Sequence, residues 1–216
     1  NGAVGVDANK KPVKTLLEIA KENGKSTGLV TTSQITDATP AAFASHVEDR
    51  SKQSDIAKQY LEKKVDVLLG GGEDFWYPQG TPGPHPDQPA EDPEEGSKGT
   101  QGNLVEKAKQ LGYQYVTNKE ELNKAKNGRI LGLFANEEMF QQREEGQGDL
   151  YNPTVPLVDM TKKALDTLST NKKGFFLMVE EEGTDEFAHN DNAKLTIKAG
   201  QELDKAVGAA KEFAKK

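Results

Sequence analysis

Apolar positions fall into two rhythms along this chain. In residues 13–23, Leu16, Leu17, Ile19 and Ala20 recur at the spacing of one helix face, and Gly24 is placed to end it. Short runs of apolar and β-branched residues occupy 27–32 (TGLVTT), 65–69 (VDVLL), 113–117, 130–134 (ILGLF) and 175–179 (FFLMV). The near-continuous apolar runs among them suit strands buried on both faces of a parallel sheet. Helix-spaced segments separate them. Thr39 and Pro40 supply an N-cap and first helical residue for 40–47, and Ile56, Ala57, Tyr60 and Leu61 line one face of 54–64. Further helices are predicted at 103–111, 119–126, 156–169 and 193–215. Strand and helix alternate five times, which predicts right-handed βαβ units and an α/β sandwich with a central, mostly parallel sheet.

Two stretches lack either rhythm. Residues 74–102 contain Pro78, Pro82, Pro84, Pro86, Pro89 and Pro93, so they read as a loop insertion that builds no core. Within it, Trp76 and Tyr77 are expected to anchor the loop and His85 to be an exposed loop histidine. The other irregular region is 135–154. Gly70-Gly71-Gly72 follows a strand but leads into Glu73-Asp74-Phe75-Trp76 with no lysine, so a tight turn is favoured over a phosphate cradle. With no internal repeat, 1–216 reads as one domain.

Composition then narrows the functions. A net charge of −7 argues against a nucleic-acid partner, which needs a basic face. No apolar run approaches the roughly 18–20 residues of a membrane span. With no cysteine there is neither a disulfide nor a thiolate ligand. The chain opens Asn1-Gly2-Ala3, with no signal peptide.

Chemistry concentrates at two strand ends, where open α/β sheets place their ligands. After the run at 175–179 come five acids in the seven residues 180–186, and then His189. Asp185 and His189 stand at i, i+4, on one face of a helical turn. Glu180 and Asp185 as hard oxygens and His189 as a nitrogen make a divalent-metal site chemically reasonable, though acidic runs are commonly solvated loops. The other strand end carries Asp37, Thr39, His46 and Arg50. Asp37 and Thr39 offer oxygen ligands suited to magnesium, and Arg50 a planar fork for two phosphate oxygens. Alternatively Asp37 or Thr39 merely caps the helix and Arg50 is a solvated charge. Together the two clusters suit metal-assisted phosphoryl transfer better than acyl transfer.

The blocks TTSQITDATPAAFASHVEDR, VDVLLGGGEDFW, ILGLFA and GFFLMVE, with Asp185 and His189 beyond, closely resemble the alkaline phosphatases, especially the bacterial ones. The resemblance runs over essentially the whole chain. It implies that Asp185 and His189 are ligands of one catalytic zinc, that Thr39 and Glu180 bind magnesium, and that Asp37 holds magnesium-bound water. It makes Arg50 the clamp on the substrate phosphate and leaves His46 a structural residue. It further implies hydrolysis of small phosphate monoesters, Zn2+ and Mg2+ as cofactors, a possible homodimer, and a secreted or periplasmic location.

The chain also departs from the family. The family's serine nucleophile, in an Asp-Ser-Ala motif just upstream of the position of Asn1, is absent, as are the Asp-His pair and later histidine carried beyond the position of Lys216. Where the family usually reads Glu-Gly-x-x-Ile-Asp, this chain has Glu180-Glu181-Glu182-Gly183-Thr184-Asp185. The expectation is therefore an internal portion of such an enzyme, incomplete at both ends and with little or no activity alone. The rivals are a sulfatase-like or phosphoglycerate mutase-like enzyme of the same superfamily, and a non-catalytic metal-binding fragment.

Overall fold

In the computed structural model, which describes residues 2–86 and 96–215, five strands form one sheet in the order β3-β4-β2-β1-β5. They are β1 (Ser26–Gln34), β2 (Val67–Gly71), β3 (Gln114–Val116), β4 (Ile130–Leu133) and β5 (Phe175–Glu180). Every pairing between neighbours is parallel, as the run of buried β-branched and leucine residues predicts.

Register shows how the alternation of side chains builds two cores. Met178, Leu29, Leu68, Leu131 and Tyr115 stand side by side across the sheet, and one residue further on stand Val179, Val30, Leu69, Gly132 and Val116. Successive residues of a strand face opposite sides, so the two rows belong to two different layers. The first packs with α1 (Leu16–Glu22), α2 (Ala38–Ala44), α3 (Gln53–Glu62) and α4 (Leu104–Gln110). The second packs with α5 (Lys119–Lys124), α6 (Leu157–Leu168) and α8 (Ala193–Ala214). Each wholly buried leucine contributes about 1.5–3 kcal/mol over an exposed one. A smaller cluster of Phe140, Tyr151, Phe187, Leu195 and Ala199 lies under α7 (Gly183–His189) and the start of α8. No helix among the described residues is long and apolar enough to cross a membrane.

Three local expectations need correction. β5 is not buried on both faces: only Met178 is buried, because β1 is its one partner strand among the described residues. α2 begins at Ala38 rather than Pro40, so Thr39 lies inside the first turn instead of capping it. His85 is half-buried, its backbone N–H donating to Glu73 Oε1 (2.7 Å) and its Nε2 lying 3.0 Å from the Leu133 carbonyl. Elsewhere in the insertion Trp76 is wholly buried and anchors the loop, while residues 87–95 fall outside the described residues.

Candidate functional site

The carboxyl ends of β1 and β5 meet because Thr31 and Glu180 are register partners. The Thr31 hydroxyl donates to Glu180 Oε2 at 2.8 Å, and the Thr39 hydroxyl, reaching over from the first turn of α2, lies beside the same carboxylate. Neither Thr39 nor Asp37 caps a helix. Asp37 sits at the N-cap position of α2, yet its side chain makes no capping bond. It accepts instead from Arg50 Nη2 at 2.5 Å, and that hydrogen bond is the main cause raising the guanidinium's pKa. Arg50 is held from behind as well. Its backbone N–H donates to the Gly2 carbonyl (2.6 Å), and Val4 and Val47 exchange bonds of 3.0 and 3.1 Å. His46 is structural, as expected: Nδ1 lies 2.6 Å from the Gly5 carbonyl and Nε2 2.8 Å from Glu18 Oε1.

More carboxylates enclose this group than the sequence signalled. Burial pushes Glu180 above its ordinary range, outweighing the Thr39 and Thr31 hydroxyls beside it, and the charges of Asp37 and Asp185 add to the rise. Glu182 is raised by burial and by the negative charges of Asp37, Glu180 and Glu138. The Ser33 hydroxyl lies beside the Glu182 carboxylate without the geometry of a full hydrogen bond, leaving Glu182 Oε2 without a donor. Glu138, on the 135–154 segment, accepts from Gln34 Nε2 at 2.8 Å and is likewise raised by burial. Glu186 faces Asp185, His189, Asp37 and Arg50 and is raised for the same first reason.

Asp185 and His189 do share a face of α7, as their spacing predicts. Their ion pair, Oδ2 to Nε2, is 3.4 Å long, and the side chains are 72% and 73% exposed. The structure thus brings Asp37, Thr39, Glu180 and Arg50 together, with the Asp185–His189 pair beside them on the surface. Among the described residues no three histidine or acidic side chains converge to hold a metal ion. Glu138 and Glu182 were not singled out from the sequence. Both follow a strand end by a few residues, the same signal that pointed to Glu180.

An all-parallel sheet with helices on both faces, its carboxyl edge carrying an arginine–aspartate pair among half-buried carboxylates, defines an α/β protein of the class that places ligands at strand ends. The comparisons with known proteins are specific. The alkaline phosphatase family model matches residues 1–216, and the chain belongs to that family. It is 40% identical to alkaline phosphatase 4 of Bacillus subtilis, an alignment covering 100% of this chain and 42% of that protein. It is 34% identical to the Escherichia coli alkaline phosphatase over 100% of this chain and 51% of the other. The crystal structure of Thermus thermophilus alkaline phosphatase superimposes with a TM-score of 0.78 at 32% identity, covering 99% of this chain and 41% of that one. The chain therefore spans about half the length of the curated relatives it matches.

Proposed function

We propose that these residues form part of a phosphomonoesterase site, in which Arg50 clamps the phosphate and the carboxyl edge of the sheet gathers metal ions. The reading is carried by the convergence of Asp37, Thr39 and Arg50, from one stretch of the chain, with the sequence-distant Glu180 onto one strand edge. Family membership supports it, as does a similar solved structure, a TAB5 alkaline phosphatase mutant described with Mg bound in its M3 site.

The residues present fit magnesium. Glu180 and Thr39 supply a carboxylate and a neighbouring hydroxyl, Asp37 lies within electrostatic reach, and the unpaired Glu182 Oε2 adds a buried oxygen. Hard cations take oxygen ligands of this kind. When bound, the ion would neutralise charge on phosphate oxygens. Arg50 orients two of those oxygens through its planar fork, and Asp37 holds that fork in place until phosphate competes for it. For zinc the fit is partial: Asp185 and His189 offer two donors, short of the three protein ligands of a catalytic zinc site. The 216 residues contain no Asp-Ser-Ala sequence. On this reading the isolated chain hydrolyses little or no phosphate ester. The resemblance likewise supports a secreted or periplasmic location and a homodimer as proposals.

A test uses p-nitrophenyl phosphate, a phosphodiester and a sulfate ester, offered both to the isolated chain and to the gene product that carries it. Background turnover by the isolated chain is expected. The gene product should prefer the monoester and lose at least about 100-fold in kcat/KM on Arg50→Ala, the scale of removing one preorganised charge-stabilising donor. Preference for the sulfate ester or the diester overturns the substrate class. Normal zinc-dependent turnover by the isolated chain overturns the reading that it is only part of a centre. The alternative, a metal-binding fragment without catalysis, is favoured by the missing serine motif; zinc stoichiometry near two per chain would count against it.

A further inference from the structure

Glu181, between two candidate ligands, is seated in a socket of its own. It is 5% exposed. Its Oε1 accepts from the Thr32 hydroxyl (2.9 Å) and the Gly183 backbone N–H (3.0 Å), and its Oε2 accepts from the Tyr151 hydroxyl (2.5 Å). Thr32 serves twice, because its oxygen also accepts from the Glu182 N–H at 3.1 Å. The Glu181 carbonyl in turn accepts from the Thr184 hydroxyl at 2.9 Å. Thr31 and Thr32 point to opposite faces of β1, so Glu180 and Glu181, the carboxylates they hold, are fixed on opposite sides of the sheet.

The socket joins three elements that chain connectivity alone leaves free to shift. Thr32 belongs to β1, Gly183 opens α7, and Tyr151 belongs to the irregular 135–154 segment, stacked with Phe140 and edge-on to Phe187 of α7. α7 has seven residues, too few to be stable by itself, so tertiary bonds must set its position. Glu181 receives hydrogen bonds from all three elements. A carboxylate is acceptor-only when ionised and can take several such donors at once, which a neutral amide of the same shape cannot.

We propose that Glu181 is a positioning residue: from the reverse side of the sheet it sets the phase between Glu180 at the end of β5 and the Asp185–His189 pair on α7. The inference rests on the metal-site reading only for what those three side chains then do. It explains how an exposed pair on a short helix is kept beside a half-buried carboxylate on a strand.

The variants are Glu181→Gln, Tyr151→Phe and the two combined, made in the 216-residue chain. Amide hydrogen exchange of residues 183–189 is followed without metal, and magnesium affinity by calorimetry. Each single variant should speed exchange in α7 by about 10-fold, the loss of one hydrogen bond to a charged group, while the slowest amides of β1 and β2 stay unchanged. Magnesium affinity should fall by about 10-fold, as when a partner orienting a ligand is removed. The double variant should be no worse than Glu181→Gln, because both changes act through one carboxylate. Unchanged exchange in α7, a rise spread evenly over the sheet, or additive losses would overturn the proposal. If Glu181→Gln does not fold, Tyr151→Phe, which keeps the ring in its cluster, decides. A wild-type chain that takes up no magnesium removes the metal-site reading, while the exchange data still decide the role of Glu181.

Discussion

Glu182 and Glu18 are carboxylates in opposite circumstances, and each makes a statement about stability. Glu182 is raised from an ordinary value of 4.5 by burial and by its acidic neighbours. Glu18, although burial opposes it, is lowered to about 2 by the Thr15 N–H, His46 and Lys63. A raised carboxylate holds its proton more tightly when folded. Its contribution to stability is complete below about 4.5 and declines as pH rises toward the raised value. The lowered Glu18 works the other way, stabilising above about 4.5 and losing that effect as pH falls toward 2. The metal-free chain should therefore lose stability as pH rises from about 5 to 8. Glu182→Gln, which cannot ionise, should flatten that slope and raise stability at pH 8 by at least about 1 kcal/mol, one pKa unit being worth 1.36. Urea unfolding at pH 5, 6.5 and 8 reads both. An unchanged slope in the variant would show that Glu182 is not held as described. The burial behind this was not legible in EEEGTDE, whose acids read either as metal ligands or as a solvated loop; packing at the sheet end is what makes Glu180, Glu182 and Glu186 costly to ionise.

At the scale of elements, the sequence disclosed the strands and helices but not why particular residues connect them. The triple glycine after β2 is plain in the sequence and reads as a turn, and Gly72 does take a left-handed φ of 83° before a single 3-10 turn, Glu73–Phe75. Gly71 has a different reason. A β-carbon there would lie 2.0 Å from the Glu137 carbonyl oxygen, while the Gly72 N–H donates to that same oxygen at 2.7 Å. The close approach of backbone to backbone brings Glu138 over the end of β1, where Gln34 meets it. No local pattern encodes it, since the partners lie 66 residues apart (137 less 71). Gly71→Ala must displace the 137–138 segment and should cost about 1–3 kcal/mol, the usual penalty of overpacking, measured by urea unfolding at fixed pH. A loss below about 0.5 kcal/mol would mean that the segment yields freely. Helix limits shifted for related reasons: Thr39 looks like a cap, but it lies in the first turn of α2 with its hydroxyl beside Glu180, a neighbour sequence spacing cannot name.

Across the whole molecule, the site depends on contacts between distant parts of the chain. Thr31 and Glu180 are 149 residues apart, and their meeting follows from β5 adding beside β1. The alternation of strands and helices made the parallel sheet legible, and the strand-end rule pointed to Asp37, Arg50 and Glu180. The carboxylates that close around them became visible only once the strand order was known. On the proposed metal-site reading, that crowding of negative charge in a chain of net charge −7 would tie the stability of the fold to cations. An ion that binds only the folded chain, at 100 times its dissociation constant, stabilises by about 2.7 kcal/mol. At about 2–4 °C per kcal/mol for a domain of this size, magnesium at that concentration should raise Tm by about 5–10 °C at pH 8. At pH 5 the raised carboxylates carry protons that the ion must displace, so the same magnesium concentration should give a much smaller shift. Differential scanning calorimetry at the two pH values separates this from general salt screening, which sodium chloride at matched ionic strength reproduces. Equal magnesium shifts at pH 5 and pH 8 would place the ion away from Glu180 and Glu182, because only a site built from these buried carboxylates couples ion uptake to proton release in that window.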